Sequence, residues 1–441
     1  MTIDPVVIDK RPRSLVHMFL SRVTETPDED AYYYPVEGGG WQESTWGDTH
    51  ALVEGLAAGL LALGVEPEDR VAVIASTRYE WVLAYLATLW AGAAVTAVEP
   101  GADDDTISRV LTDSGARVVI AEDYETVRTL WRVRARIRTV AKVVQVDGDY
   151  PDDRVLTLEG LLALGHDHLV GQPRALSQRL YAVRRQGLAA LPYVDDHRGG
   201  SRGVRLSHAA LTYQATAISL LGELTDADLV YVSLPLRSAY AQSLVGIQLA
   251  CGFPLALEGR QDRAVDSLAV VRPTVVAATA SMLERVRDDI EQERRPGLLR
   301  RQRWIEKKVR SDVAEVFGDR LRFVVCAGRS LDSDVTDFFE AAGVTLLEAY
   351  GRAETGGAVS VALPADAGSQ TSGRPLPGTD VRISVDGEVE VSGPGVMDGY
   401  HGRRAETEAA FDQGWLRTGD AGVLDADGRL RVLGRTVDGR G

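Results

Sequence analysis

Apolar positions in the first half of the chain alternate between helical spacing and short unbroken runs. Leu52, Leu56, Leu60 and Leu63 fall on one helix face, and Gly64 stands where such a helix should stop. A Pro67-Glu68-Asp69 turn follows, then the apolar run 71–75, which reads as a buried strand. A further helix and a strand at 94–98 complete a strand–helix–strand unit, implying parallel pairing with a right-handed crossover. More strands are predicted at 118–121, 143–146, 229–234, 274–278 and 323–326, with helical segments between them. The pattern predicts an α/β fold with helices layered on sheet.

The texture changes twice further on. Residues 291–310 are densely charged and read as a solvated helix or linker. After about Tyr350 short strands with turn signals take over, notably VRISVDGEVEVSG, where Asp386-Gly387 predicts a hairpin. The expected organisation is therefore an α/β subdomain over 1–190, a second over 191–349, a β-rich subdomain over 350–435 and a short remainder, 436–441. One stretch, 81–98, has no charged residue and approaches the length of a bilayer span. Its Ala and Thr content, Gly92, and the flanking Glu80 and Glu99 favour a helix ending near Gly92 followed by a short strand.

Composition narrows the function classes. The 441 residues carry 49 basic and 64 acidic side chains, a formal charge of −15, which argues against nucleic acid and anionic membrane surfaces as partners. An apolar fraction of 45% is that of a folded globular chain. Two cysteines, Cys251 and Cys326, exclude a disulfide framework or a multi-cysteine metal site, and Cys326 at the end of an apolar run reads as a packed thiol. Residues 1–14 have no apolar core behind their charges, so no secretory signal is read there and a cytoplasmic location is expected.

Several segments, in order, carry a resemblance: STRYEWVLAYLATLWAGAAV, RGVRLSH, EAYGRAETGG, GRPLPGTDVRI, VSGPGVMDGY, GWLRTGDAG and DGRLRVLGR. Together they resemble the long-chain acyl-CoA synthetase branch of the adenylate-forming (AMP-binding, ANL) superfamily over nearly the whole chain. The resemblance implies the large ANL-type N-terminal domain, of layered α/β subdomains plus a small β-rich one. It implies chemistry in which a carboxylic acid and ATP with Mg²⁺ give an acyl-adenylate, whose acyl group then passes to coenzyme A. By resemblance, Tyr350 and Gly351 would meet adenine, Glu354 would hold Mg²⁺ between phosphates, Asp420 would accept the ribose hydroxyls and Arg435 would contact the ribose. Gly328, after a predicted strand, would allow a flat ring to approach.

The sequence also departs from the family. The phosphate loop falls at 193–203, YVDDHRGGSRG, where Gly199 and Gly203 remain and Arg202 stands at the lysine position. Hydroxyl-bearing positions have become Val194, Asp195, His197 and Arg198, and a glycine has become Asp196. A carboxylate about 4 Å from a like charge costs roughly 4 kcal/mol at an effective dielectric of 20, so this loop predicts weakened ATP binding unless Arg198, Arg202 and Arg205 offset it. Serine at 238 replaces the histidine or aromatic residue of this branch, and Ala353 replaces the threonine of the Tyr-Gly-x-Thr-Glu motif. The four lysines, Lys10, Lys142, Lys307 and Lys308, match neither lysine of the family, and the text stops inside the hinge that leads to the lid domain, so a chain without that lid is expected.

Three readings follow. A catalytically impaired homologue would act as a binding or scaffolding subunit beside a lid-bearing or paralogous ligase. An active carboxylic acid–CoA ligase would be completed by a separate or removed lid, with coenzyme A used only then. A repurposed site would take a new ligand at 195–198. AMP is expected to bind more readily than ATP.

Overall fold

The computed structural model describes residues 5–36, 38–195, 200–292, 302–327 and 331–436. The leucine-spaced helix spans Trp46–Ala62; Thr45 and Asp48 cap its start reciprocally, and Gly64 lies just past its end at φ +79°. The uncharged stretch resolves as expected into helix Tyr79–Trp90, a turn at Gly92 and strand Ala94–Ala97. That helix is buried nearly all round, which explains an apolar surface with no polar face. Among the described residues no helix is long and apolar enough to cross a membrane.

Three sheets organise the layers, giving the expected α/β architecture with a small β-rich part. The first has nine strands, with Leu346–Arg352, Phe323–Ala327, Val275–Ala278, Val230–Val232, Leu255–Leu257 and Asp30–Pro35 consecutive and parallel. Antiparallel strands flank this run, Gly357–Val361 on one side and Trp41–Thr45 on the other. The second sheet is built on the parallel run Ala94–Ala97, Arg70–Ile74, Val118–Ala121 and Lys142–Gln145, and ends in the antiparallel pair Ser201–Ser207 and Gly399–Tyr400. The third, of five strands, contains the hairpin: Asp380–Ile383 pairs with Glu388–Ser392 around Gly387 at φ +81°. Helices Ala280–Gln292 and Gln302–Phe317 border the charged segment, whose centre lies outside the described residues.

A buried histidine lies within this packing. His208 opens helix His208–Ser219, is 2% exposed, and its Nδ1 has no hydrogen-bond partner among the described residues. Burial, and secondarily His17, push its pKa down to about 4 from an ordinary 6.5. Between those values the unfolded chain binds a proton that the folded chain excludes, so stability is full above the unfolded pKa and falls as pH drops toward 4. From pH 7 to 5 this single group should remove about 2 kcal/mol. Urea unfolding at the two pH values should show that loss shrinking in His208→Gln; an unchanged pH dependence would assign the loss to other groups.

Candidate functional site

Side chains from all three sheets meet at the carboxyl end of strand Leu346–Arg352, where open α/β sheets place their ligands. Gly351 allows the backbone to cross here. A Cβ on it would collide with the Gly357 carbonyl, whose carbon would lie 2.8 Å away. The strand then enters the single turn Ala353–Thr355, closed by Gly356 at φ +69°. The Thr355 hydroxyl accepts the Arg352 amide at 2.8 Å and donates to Gly357 O at 2.8 Å, fixing the backbone under Arg352.

Asp420 comes from the third sheet, on strand Trp415–Leu424. Its loop is held from behind by the buried Glu388, which accepts the Gly419 amide at 2.7 Å and pairs with Arg417 at 2.8 Å. Three donors converge on the Asp420 carboxylate. Tyr350 donates its hydroxyl to Oδ2 at 2.8 Å, Arg352 Nη1 lies 3.3 Å from the same oxygen, and Arg435 Nη1 reaches Oδ1 at 3.0 Å. Arg435 is the register partner of Asp420 across strand Leu430–Arg435. Burial, followed by the Asp420 charge, raises the Tyr350 pKa, so the phenol remains a donor.

Glu354 lies beneath Arg352, its side chain 4% exposed. One oxygen is 3.4 Å from Arg352 Nε and the other accepts the Tyr400 hydroxyl at 3.1 Å. Burial opposes the Arg352 charge, yet Glu354 and Asp420 hold its pKa above the usual arginine value. On the far side of Tyr400, the Arg202 guanidinium stacks 4.1 Å from the ring centroid and lies 3.6 Å from Glu406.

These groups border a cleft of about 760 Å³ lined by Tyr350, Gly351, Arg352, Asp420 and Arg435, with Cys326 buried at its edge. An apolar cavity of about 80 Å³ shares Ala349 and Ala362 with the cleft and is walled by Tyr240, Leu244, Val275 and Val325. The buried Tyr240 hydroxyl has no partner among the described residues.

The structure thus brings Tyr350, Gly351, Glu354, Asp420 and Arg435 together. Arg202 joins them only through Tyr400, and Gly203 packs within strand Ser201–Ser207 against Leu191. Asp195 is exposed at the end of strand Tyr193–Asp195; Asp196, His197, Arg198, Gly199, Gly328 and 437–441 lie outside the described residues. Ser238 caps helix Ala239–Cys251, accepting Ala241 N at 3.2 Å and donating to Pro235 O at 2.9 Å. Sequence reasoning missed Arg352, Tyr400 and Glu388 as site residues. Glu388 gave no signal, because in EVEVS it alternates with valine as a solvent-facing residue would.

Residues 19–401 match the family described as AMP-binding enzyme. The long-chain-fatty-acid–CoA ligase FadD15 of Mycobacterium bovis is 28% identical over 448 residues, covering 95% of this chain and 73% of its own. A methyl-dioxo-octahydro-indenyl-propanoyl:CoA ligase of Mycobacterium tuberculosis is 30% identical, covering 88% of this chain and 73% of its own. The solved anthranilate CoA ligase AuaEII in complex with anthranoyl-AMP has a TM-score of 0.81 at 19% identity, covering 98% of this chain and 80% of its own.

Proposed function

The chain belongs to the AMP-binding enzyme family, and from that premise we propose that its cleft binds the adenosine monophosphate part of an acyl-adenylate. The observation that carries this reading is Asp420, a carboxylate held by Tyr350, Arg352 and Arg435 on the wall of the cleft. A carboxylate in that position accepts both hydroxyls of a ribose, while the Tyr350 ring offers a stacking face for a base. The acyl group enters the apolar cavity beyond Ala349 and Ala362. At about 80 Å³ the cavity is far smaller than a usual ligand pocket, so a long aliphatic chain requires wall residues such as Tyr240 and Leu244 to move. The names of the mycobacterial relatives support an aliphatic or alicyclic carboxylate.

The finer part of the proposal is that this chain makes the adenylate from ATP poorly and acts as a binding or scaffolding subunit beside a lid-bearing or paralogous ligase. Asp195 stands where a hydroxyl, and Asp196 where a glycine, would serve a triphosphate; Ala353 lacks its hydroxyl, and Arg202 stands at the loop's lysine position. The ligase names of the relatives favour a second reading, an active carboxylic acid–CoA ligase completed by a further domain or partner.

Calorimetry with AMP and with ATP–Mg²⁺ on the full chain separates the two. AMP is expected to bind at least about tenfold more tightly than ATP, given the like-charge cost at the loop. Tight ATP binding together with fatty-acid-dependent pyrophosphate release would replace the subunit reading with the ligase.

A further inference from the structure

In the resembling family the carboxylate at the Glu354 position serves a divalent metal ion, and the residues of this chain do not fit that role. Both Glu354 oxygens are engaged, one by Arg352 and one by Tyr400, and the side chain is 4% exposed. A hard divalent ion takes six or more oxygen ligands and needs open carboxylate edges. An ion approaching Glu354 from the cleft would first meet the Arg352 guanidinium, a like charge in a partly buried site.

We infer that Arg352 is the resident cation of this cleft: it takes the metal's place over Glu354 and recognises the nucleotide's phosphate, so that AMP binds without a divalent ion. The inference rests on the adenylate reading above. Its support is geometric. Nε serves Glu354 and Nη1 serves Asp420, while Nη2 has no protein partner among the described residues. The side chain is 22% exposed and lines the cleft, so this remaining edge is available to an anionic oxygen. Glu354 and Asp420 hold the guanidinium from two sides, Tyr400 fixes Glu354, and the Thr355 turn fixes the backbone, so the donor is set before ligand arrives. The charge stands one residue before Ala353, where the motif's hydroxyl is missing, and supplies an alternative phosphate contact.

Calorimetry of the full chain with adenosine and with AMP, each in EDTA and in millimolar Mg²⁺, tests this. AMP should bind at least about tenfold more tightly than adenosine, as a charge-assisted pair provides. Mg²⁺ should leave that preference unchanged to within about twofold. Arg352→Met should change adenosine affinity only as far as Asp420 loses one of its three partners, while the AMP-to-adenosine ratio should fall to about one in EDTA and rise again in Mg²⁺, because Glu354 is then uncovered. Arg352→Lys should retain an intermediate preference. A large Mg²⁺ enhancement in the unaltered chain, or an Arg352→Met chain that still prefers AMP, would overturn the inference. The Mg²⁺ response of the unaltered chain remains decisive even if the variants misfold. Adenosine binding without any AMP preference sinks Arg352 alone, whereas no binding of either ligand sinks the adenylate reading with it.

Discussion

Gly165→Ala is expected to destabilise the protein by about 3 kcal/mol, although alanine is the better helix former by about 1 kcal/mol. Gly165 lies inside helix Leu158–Gly171, which crosses helix Trp46–Ala62 at glycines on both sides. A Cβ on Gly165 would overlap the Gly55 carbonyl oxygen and sit 2.7 Å from the Gly59 amide nitrogen. On the partner helix, a Cβ on Gly59 would lie 2.8 Å from Leu161 Cγ, and one on Gly55 would lie 2.9 Å from Leu162 Cδ2. The obstacles at Gly165 are backbone atoms, so no side chain can swing away and one helix must shift. That shift would strip contacts from Leu56 and Leu60, which lie in the main core on the Trp46–Ala62 helix. Gly171, at the end of the same helix, has open space where its Cβ would go. Chemical denaturation should therefore show a large loss for Gly165→Ala and little change for Gly171→Ala. Equal effects at the two sites would mean that helix propensity, not close approach, governs this face.

The same contact shows what the sequence revealed and what it hid. Leucine spacing located the Trp46–Ala62 helix because one face must be apolar, but Gly55 and Gly59 register in no hydrophobic pattern, so the second buried face was invisible. The parallel strands were legible as apolar runs, since sheet covered on both faces needs no alternation. Their ends shifted by a residue or two, as at Val230–Val232 within the expected 229–234, because hydrogen bonding sets the ends. Strand Trp41–Thr45, largely polar and at a sheet edge, gave no such run. At the site, the motif text made Tyr350, Glu354 and Asp420 visible. Arg352 occupies the position that motif leaves open, and Tyr400 reaches Glu354 from another sheet, a relation no local pattern carries. Ser238 departed from the family residue, and the structure gives it a local task as a helix cap.

Asp420→Asn is expected to weaken adenosine binding by about ten- to a hundredfold, the worth of one hydrogen bond to a charged acceptor. Adenosine is the right probe because it has no phosphate. Neutralising Asp420 leaves Arg352 and Arg435 with one fewer counter-charge, and an anionic ligand would recover part of the lost affinity from them. AMP should accordingly lose less than adenosine, and the difference reports the freed guanidinium. The asparagine is chosen over alanine because it keeps the volume and a carbonyl for Tyr350 or Arg435. Alanine would leave Tyr350 and Arg352 without their shared acceptor in a largely buried place, costing stability as well as binding. Comparing adenosine with 2′-deoxyadenosine separates a ribose contact from a general disturbance of the cleft. The unaltered chain should discriminate by at least about fivefold, and Asp420→Asn should bind the two alike. If the variant loses affinity but still discriminates, Asp420 only shapes the cleft through Tyr350, Arg352 and Arg435, and the ribose must be recognised elsewhere.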